Sequence, residues 1–313
     1  MSTVRLMLEY FHPWTNAVGF YLARERGWYR DAGIELEIAV FDPQRGDTLA
    51  HLLRRDATFG VFPTNRLLVR REAHAPLVGI AAINHGGLET IQTYAGSGIE
   101  RPAQLAGRRI AFAPTPRGRA MVRHLVAKDG GDPDAVVVVD SGRRELSVDD
   151  LKAGAADASF GGYWAWDALF GSLATEQRRL WRVDDIGAPR YHSYLLGCQE
   201  DLIERNEPMV RAFLAATARG YAEARSAPGA ALEVMDRIIP YFPRPILRRS
   251  LELIATTWGL DTGWGTQRDD LMSEYAQWLA LHGILAAPER WRTAVTNALL
   301  PDGMARHRRL ATV

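Results

Sequence analysis

Apolar and polar residues alternate along short segments of the N-terminal part of the chain, with segments of helical spacing between them. The alternation predicts strands, because successive side chains of a strand point to opposite faces of a sheet. These predicted strands cover residues 4–8, 34–41, 58–61 and 78–83. The intervening segments have apolar residues on one helical face, and the predicted helices cover 16–28, 47–54 and 65–72. Successive strand–helix units of this kind predict a doubly wound α/β lobe.

The rest of the chain first continues this alternation of elements and then becomes helical. One further strand, at 136–139, is predicted to be buried, and another, at 191–198, is predicted to be a return crossing. The remaining predicted strands cover 90–94, 109–113 and 158–160, and the predicted helices cover 119–128, 148–153, 207–225, 230–238, 245–257, 267–282 and 288–298. The whole pattern predicts an α/β protein with two lobes and a helical C-terminal region.

Composition and charge exclude several classes of protein. The 313 residues suffice for two lobes with a core each, and 47% of them are hydrophobic, which excludes an intrinsically disordered chain. The 38 Lys and Arg residues are balanced by 37 Asp and Glu, so nucleic acid is not an expected partner. The single cysteine cannot form an intrachain disulfide, and no zinc-site spacing of Cys and His occurs. We expect neither a metal nor a cofactor.

The first residues of the chain and the length of its apolar runs bear on where the protein is located. The first residues alternate in polarity and lack the apolar core of a secretion signal. No run of about 18 apolar residues occurs, so no membrane span is predicted. As written, the chain is expected in the cytoplasm; if an export signal has been removed, it is expected outside the cytoplasm. The basic residues 306–309 are predicted to be a solvated end.

Three motifs, in a fixed order along the chain, resemble those of one protein family. The first, at residues 8–35, combines a strand, a turn with aromatic residues and proline, a helix and a Gly-aromatic-aromatic…Ala-Gly-Ile segment. The second comprises residues 98–110 with 151–160, and the third is the VTNALLP segment at 295–301. The chain thereby resembles solute-binding proteins of the type 2 periplasmic fold, in the branch of the thiamine-pyrimidine-precursor binding proteins and the eukaryotic pyrimidine synthases.

This resemblance implies two α/β lobes, each a doubly wound mixed sheet flanked by helices, with a ligand in the cleft between them. Two crossing strands, near 89–94 and 191–196, would join the lobes, which would close by hinge motion. Residues 1–89 and 195–313 would form one discontinuous lobe, and residues 90–194 the inserted lobe. A ligand in this cleft agrees with a general rule, because open α/β sheets bind ligands at the carboxyl ends of their strands.

One activity of the resembled branch is not supported by the residues. In the pyrimidine synthases, the turn that matches residues 59–66 carries a lysine that holds pyridoxal phosphate and a histidine that is consumed as substrate. Phe62 and Arg66 occupy these positions here, and neither side chain can perform the corresponding chemistry. The cysteine-rich metal motif of those synthases is absent from the sequence as well. We therefore do not expect pyrimidine synthase activity.

The loops after the strands of the first lobe contain its candidate ligand-binding residues. Trp14 is the main candidate to stack on a ligand, because aromatic side chains cluster around it. In the alternative, Phe11 and Trp14 fill the core under the loop. His12 either titrates and donates hydrogen bonds or is structural. The predicted ligand contacts of this lobe are Phe11, Trp14, Asn16, Phe62, Thr64, Asn65 and Asn84.

The loops of the second lobe supply a polar helix start and a second aromatic group. Glu89 either hydrogen-bonds a ligand amine or pairs with a nearby Arg in a glycine-containing hinge. The helix start at 115–118 either binds an anionic or carbonyl oxygen or is a solvated, capped loop. Trp166 is expected inside the helix that follows, where its side chain can pack in the core. The predicted ligand contacts of this lobe are Glu89, Thr115, Arg117, Gly118, Gly162, Tyr163 and Trp164.

We predict a binding protein that captures a small, flat heterocycle of the thiamine pyrimidine precursor type for an ABC importer. Its partners would be that ligand and an ABC permease, and the chain would be a monomer or a dimer. The alternative is a cytoplasmic lyase or hydrolase on the same fold, acting on an aromatic or heterocyclic acid or in thiamine- or pyrimidine-related biosynthesis, with His12 or His85 as the acid or base. The more distantly similar desulfinases carry a catalytic cysteine in the first-strand loop, where this chain has His12. Cys198 is predicted to be a buried, inert thiol.

Overall fold

The computed structural model describes residues 1–142, 145–259, 261 and 263–301 of the chain. The predicted solvated segment 306–309 lies outside the described residues. The strands of the described chain are β1 (Ser2–Leu8), β2 (Ile34–Val40), β3 (Phe59–Pro63), β4 (Leu77–Ala82), β5 (Glu89–Tyr94), β6 (Arg109–Phe112), β7 (Val137–Asp140), β8 (Ala158–Tyr163), β9 (Arg178–Arg182) and β10 (Tyr194–Gln199).

Helices of very different length connect and follow these strands. They are α1 (Val18–Glu25), α2 (Trp28–Asp31), α3 (Thr48–Leu53), α4 (Thr64–Glu72), α5 (Pro116–Lys128), α6 (Val148–Lys152), α7 (Glu200–Ser226), α8 (Pro228–Ile238), α9 (Arg244–Ile254), α10 (Asp269–Leu281) and α11 (Trp291–Ala294). Between α1 and α2 the chain turns at Gly27, whose φ of 78° is in the left-handed region that glycine adopts without strain.

The chain divides into two compact units, which we call the N-terminal unit (residues 1–85 and 191–313) and the inserted unit (residues 86–190). The predicted boundaries, after residues 89 and 194, lie slightly further along the chain. The first boundary is earlier because the N–H of Gly87 donates to the carboxylate of Asp184, at 2.8 Å, within the inserted unit. The second is earlier because Tyr191 stacks on Tyr275 of the N-terminal unit.

The sheet of the N-terminal unit has the strand order β2-β1-β3-β10-β4. β1 pairs in parallel with β2 and β3, whereas β10 is antiparallel to both β3 and β4, so the sheet is mixed. β4 is buried along its whole length, in agreement with its continuous run of small and apolar residues. The sequence-based prediction of a mixed α/β sheet is confirmed for this unit.

Helices α1 and α7 of the N-terminal unit approach each other at two glycines. A Cβ on Gly220 would lie 2.0 Å from the carbonyl oxygen of Gly19, and a Cβ on Gly19 would meet the ring of Tyr221 at 2.3 Å. Because no atom occupies those positions, the two helix backbones come together and the Tyr221 ring packs over α1. This contact fixes where α7 places its side chains relative to β1.

The sheet of the inserted unit has the strand order β7-β6-β8-β5-β9 and is also mixed. β6 pairs in parallel with β7 and β8, and β5 is antiparallel to β8 and β9. The prediction of a buried strand at 136–139 is wrong in this respect, because β7 is an edge strand and Val137 is 49% exposed. β9 was not predicted, since its Arg-rich sequence lacks an alternating apolar face.

Two predicted crossing strands are ordinary members of the sheets. β5 pairs with its neighbours inside the inserted unit, and β10 does so inside the N-terminal unit. The predicted helix at 288–298 is wrong at its end: α11 ends at Ala294, and Val295 then adopts an extended conformation. There, the N–H of Thr296 donates to the carbonyl of Gly79 in β4 at 2.9 Å, so the segment adds a short extended contact to the sheet.

None of the helices in the described part of the chain is both long enough and apolar enough to span a membrane.

Candidate functional site

The loop that follows β1 forms one wall of a narrow pocket in the N-terminal unit. Glu9 and Tyr10 begin this loop at the carboxyl end of β1. The loop is tied to α9 by a hydrogen bond of 2.5 Å between the hydroxyls of Thr15 and Ser250. The pocket has about 290 Å³ of empty space, part of it continuous with solvent. Its lining consists of Leu8, Glu9, Tyr10, Trp14, Asn16, Ala17, Phe20, Val61, Ile83, Tyr194 and Tyr221.

Trp14 contributes the largest aromatic side chain of this lining. Its exposed fraction is only 4%, and its ring centroid lies 5.5 Å from that of Tyr10. Phe11, in contrast, is 61% exposed and contacts the rings of Tyr10 and His12. The alternative in which Phe11 and Trp14 both fill the core is therefore wrong for Phe11. Stacking of a ligand on Trp14 stays a prediction.

A network of buried amides supports the pocket wall at Asn16. The Nδ2 of Asn16 donates to Oδ1 of Asn84 at 3.0 Å, and Nδ2 of Asn84 donates back to Oδ1 of Asn16 at 2.9 Å. Asn84 Nδ2 also donates to Thr257 Oγ1, and Trp258 Nε1 donates to Asn16 Oδ1. Because Asn84 is fully buried, we expect it to support the wall; its predicted contact with a ligand would require this network to open.

The turn after β3 contains three other predicted ligand contacts. Phe62 is fully buried. Its ring packs so closely on Gly197 of β10 that a Cβ on this glycine would lie only 2.5 Å from the ring. Thr64 is buried as well, and its hydroxyl donates to the carbonyl of His192. Asn65 is partly exposed in the first turn of α4. We therefore expect Phe62 and Thr64 to stabilise the turn, whereas a ligand contact of Asn65 stays a prediction.

Glu9 is the charged residue of the pocket lining, and sequence reasoning missed it. Its side chain is 5% exposed; Oε2 accepts from the backbone N–H of Thr48 at 3.0 Å, and Oε1 accepts from Nη1 of Arg66. Burial raises the pKa of the Glu9 carboxyl above its ordinary value, although Arg66 and Thr48 act in the opposite direction. No signal in the sequence marked it, because it directly follows the alternating residues of β1.

Two tyrosines from distant parts of the chain complete the lining, and they too were missed. Tyr194 begins β10, and Tyr221 comes from α7. The hydroxyl of Tyr221 donates to the carbonyl of Asn16 at 2.7 Å, and Trp264 stacks on its ring with the centroids 5.1 Å apart. The apolar faces of these elements predict that the tyrosines are buried, but periodicity alone does not predict that they meet the loop after β1.

His85 and His192 form a pair near the two chain boundaries of the N-terminal unit, with ring centroids 4.7 Å apart. Nε2 of His192 accepts from the backbone N–H of Arg268 at 2.9 Å, so Nδ1 carries the proton and donates to the carbonyl of Asn84 at 3.0 Å. Burial lowers the pKa of His192 to about 3 and that of His85 to about 4. Both rings are neutral at neutral pH, and so low a pKa makes His85 a weak proton acceptor.

His12 lies among aromatic side chains at the start of the same loop. It is partly buried, and its ring centroid is 5.2 Å from that of Phe242. Nδ1 hydrogen-bonds to the carbonyl of Pro13 at 2.6 Å, and burial lowers the pKa of His12. The neighbourhood therefore favours a neutral ring with a local structural bond, and a catalytic role of His12 stays a prediction.

The predicted polar residues of the inserted unit meet at the start of α5. Arg117 is 9% exposed and pairs with the carboxylate of Glu89, as one of the two alternatives for Glu89 predicts. Thr115 caps α5 by accepting from the N–H of Gly118 at 3.1 Å. The predicted capped helix start is thus confirmed. Its predicted contacts with a ligand, through Thr115, Arg117 and Gly118, stay predictions.

The aromatic residues after β8 differ in exposure. Trp164 is 4% exposed, its Nε1 donates to the carbonyl of Gly87 at 2.9 Å, and the guanidinium of Arg182 lies 3.8 Å above its ring centre. Tyr163 is partly exposed. Trp166 is fully buried and precedes only a short 3₁₀ turn, so the predicted helix around it is wrong and its predicted core packing is confirmed.

Gly162 and its neighbours hold these aromatic residues in place. The carbonyl of Gly162 accepts from the hydroxyl of Thr90 at 2.8 Å, which binds β8 to β5. The residue that needs glycine for its backbone is Gly161, with φ of 114°. The predicted close approach of a ligand to Gly162 is a prediction still.

Glu145 is a titratable residue of the inserted unit that sequence reasoning missed. Burial raises the pKa of its carboxyl to about 7, and the negative charges of Asp167 and Glu89 act in the same direction. Its loop, next to two arginines in the sequence, has the composition of a solvated segment and carries no motif. Glu145 therefore takes up or releases a proton near neutral pH.

The remaining chemistry of the described chain is limited. Cys198 is fully buried, and burial raises the pKa of its thiol to about 12, which confirms the predicted inert thiol. Within the described residues, no three His, Cys, Asp or Glu side chains are grouped so that they could hold a metal ion.

Comparison with known proteins relates this fold and pocket to one family. Residues 14–231 match the model of the family described as NMT1/THI5 like. A curated relative, the formylaminopyrimidine-binding protein of Halalkalibacterium halodurans, is 24% identical over 295 residues, which are 92% of this chain and 88% of the relative.

Two solved structures share the fold at lower sequence identity. The alkanesulfonate-binding protein SsuA of Xanthomonas axonopodis pv. citri, bound to MOPS, is 15% identical with a TM-score of 0.70, covering 95% of this chain and 98% of that one. The periplasmic nitrate-binding protein NrtA of Synechocystis PCC 6803 is 14% identical with a TM-score of 0.66, and the match covers 96% of this chain and 87% of NrtA. Both confirm the predicted type 2 periplasmic fold.

Proposed function

The chain belongs to the NMT1/THI5-like family, and we propose that it is a solute-binding protein that captures a pyrimidine of the thiamine-precursor class for an ABC importer. The curated relative is named for a formylaminopyrimidine, whereas the two solved neighbours are named for alkanesulfonate and nitrate. These names leave a choice between a flat heterocycle and a small anion. The lining of the pocket in the N-terminal unit favours the heterocycle.

The observation that carries this proposal is the aromatic lining around Trp14. Tyr10, Trp14, Phe20, Tyr194 and Tyr221 all contribute to the pocket wall. Aromatic faces stack on planar rings, whereas sulfonate and nitrate are bound by cations and by N–H donors. No Lys, Arg or His is among the described residues that line this pocket. The aromatic side chains of this wall therefore favour a planar ring as the ligand.

Titration calorimetry of the purified protein tests the ligand class. A formylaminopyrimidine, an alkanesulfonate and nitrate are each titrated into the same preparation. We expect a heat of binding with the pyrimidine and none with the two anions. Binding of an anion without binding of the pyrimidine would overturn the proposal. Native mass spectrometry gives a second test, because a ligand that copurifies should have the mass of a pyrimidine.

Delivery to a permease is the second part of the proposal, and the resemblance to binding proteins of importers supports it. A protein with this role acts outside the cytoplasm, and cell fractionation tests that location. In vesicles with the cognate permease and ATPase, added protein and pyrimidine together should stimulate ATP hydrolysis. No stimulation would contradict the transport role and leave the binding role standing.

The predicted ligand contacts of the inserted unit are a separate part of the proposal. Tyr163 is partly exposed, and Arg117 and Glu89 form a polar pair at the start of α5. Tyr163→Ala should weaken pyrimidine binding if the inserted unit contacts the ring. An unchanged affinity would restrict the ligand contacts to the N-terminal unit.

A further inference from the structure

We infer that Glu9 determines which ligands this pocket accepts: its carboxylate binds the N–H donors of a planar heterocycle and excludes anions. The ligand class would be a neutral or cationic flat ring with an amino group on its edge. This inference rests on the proposed pyrimidine-binding function and adds the group that recognises the ring edge. It is carried by the position of Glu9 and by the state of the other polar groups around it.

The position of Glu9 is that of a recognition residue. It is the first residue after β1, at the carboxyl end of the sheet, and its side chain is more than nine-tenths buried in the pocket wall. Its two oxygens accept from Thr48 N–H and from Arg66. A carboxylate has about four acceptor positions, so Glu9 retains the capacity to accept further hydrogen bonds from a ligand.

Two other polar residues of the lining, Asn16 and Tyr221, are engaged inside the protein. Both amide atoms of Asn16 take part in the network with Asn84, and its carbonyl accepts from Tyr221. Tyr221 uses its hydroxyl hydrogen in that bond. The group with a full charge and spare acceptor capacity among the described lining residues is therefore the Glu9 carboxylate.

The charge of Glu9 decides between ligands. An N–H donor on a ring edge gains a charge-assisted hydrogen bond with a carboxylate that is held in place by two partners. A sulfonate, nitrate or phosphate would instead bring a second negative charge to a poorly solvated carboxylate, which is unfavourable. Arg66 does not reverse this balance, because it already pairs with Glu9 and lies near Asp47 as well.

The test combines Glu9→Gln with two pyrimidines that differ only in one exocyclic amino group. The wild-type protein should bind the amino compound roughly ten- to a hundredfold more tightly than the compound without it, the range typical of a hydrogen bond to a charged group. In Glu9→Gln this difference should shrink to a few-fold. The variant keeps the size of the side chain, but it replaces a charged acceptor by an amide.

Two control variants make the result specific. Glu37→Gln removes the same charge from an exposed position on β2 and should leave both affinities unchanged. Glu9→Asp keeps the charge on a shorter side chain and should keep the exclusion of an alkanesulfonate even where the pyrimidine binds more weakly. Thermal unfolding of each variant shows that it is folded; Glu9→Gln should fold, because it removes a buried charge and its partner Arg66 is 43% exposed.

The possible outcomes separate this inference from the function on which it rests. If wild type binds both pyrimidines and Glu9→Gln keeps the full preference for the amino compound, Glu9 is not the selecting residue and the function stands. If wild type binds an alkanesulfonate tightly, the exclusion of anions is refuted. If wild type binds no pyrimidine at all, the proposed function itself fails.

Discussion

The sheets of the two units have equivalent strand orders and directions, and the units differ in the helices and loops around these sheets. In each sheet, three parallel strands are followed by one antiparallel strand and then an edge strand: β2-β1-β3 before β10 and β4 in the N-terminal unit, and β7-β6-β8 before β5 and β9 in the inserted unit. The antiparallel strand is in both cases the first strand after a unit boundary. The shared order places the loops after equivalent strands at equivalent edges.

The helices and loops added to this sheet make the two units chemically different. The N-terminal unit has all the helices after residue 199, and its edge strand β4 is fully buried, whereas β7 and β9 of the inserted unit are partly exposed. The loop after β1 is aromatic with one carboxylate, and the loop after β6 is a polar helix start. Topology thus decides where a site forms, and the local side chains decide what it binds.

The largest expected effect concerns the helical cover of the N-terminal unit. Gly220→Ala places a Cβ 2.0 Å from the Gly19 carbonyl oxygen, and neither backbone can yield without moving α7. We expect the free energy of unfolding to fall by about 3 kcal/mol. Chemical denaturation measures it, with Gly229→Ala in α8 as the control, because no atom lies within 4 Å of its Cβ. Equal stability of the two variants would contradict the close helix contact.

The next effect is acid destabilisation of the N-terminal unit. His85 and His192 have pKa values of about 4 and about 3 in the fold against 6.5 unfolded, so the unfolded chain takes up protons first as the pH falls. Stability should fall below about pH 6.5, by roughly 2 kcal/mol per histidine at about pH 5. Charged groups near the pair are Arg268 and Asp270, which act in opposite directions.

Denaturation at about pH 7 and about pH 5 checks this prediction. His85→Phe keeps a ring against Gly259 and removes one titrating group, so it should lose about half of the pH dependence assigned to the pair. If the variant and the wild type lose the same stability on acidification, the depressed pKa of His85 is contradicted.

A third effect tests the aromatic site. Trp14→Ala should lower the affinity for formylaminopyrimidine about tenfold, since stacking on one aromatic side chain contributes about 1–3 kcal/mol in comparable sites. Trp28→Ala removes a tryptophan outside the pocket, where Arg219 lies 3.8 Å from its ring centre, and should leave the affinity unchanged. Calorimetry measures both, and equal affinities of wild type and Trp14→Ala would remove Trp14 from the site.

The smallest effect gives the inserted unit the opposite pH dependence. The pKa of Glu145 is about 7 in the fold and 4.5 unfolded, so the fold disfavours the ionised form and stability is lost as the pH rises from about 4.5 to about 7. The stability advantage of Glu145→Gln over wild type should grow by about 1 kcal/mol as the pH rises from about 5 to about 6. Glu100→Gln, at an exposed position, is the control. A pH-independent difference would contradict the raised pKa.

Most of the fold was predictable because its elements have strong local patterns. The alternation in β1 and β2 and the helical face of α1 reflect burial on one side, and the continuous apolar run of β4 reflects burial on both sides. The exceptions lie at sheet edges: β9 is rich in Arg and partly exposed, and the helix at 288–298 is cut short because Val295 and Thr296 pair with β4. Local propensity cannot foresee such a tertiary contact.

The candidate site was predictable only in part, for a related reason. The aromatic loop around Trp14 is visible in sequence because its residues are adjacent in the chain. Glu9 carries no motif, and Tyr194 and Tyr221 reach the pocket through strand order and through the Gly19–Gly220 contact. Their position after strands points to Phe62 and Asn84 as ligand contacts, but packing buries both side chains.

The place of β10 between β3 and β4 has a consequence for synthesis on the ribosome. β3 and β4 leave the ribosome early, but the strand that pairs with both of them is translated only after the whole inserted unit. The inserted unit is continuous in sequence and can fold as soon as it emerges. The N-terminal unit must wait for β10 and α7, so the pocket that needs Tyr194 and Tyr221 is assembled only after the inserted unit has been translated.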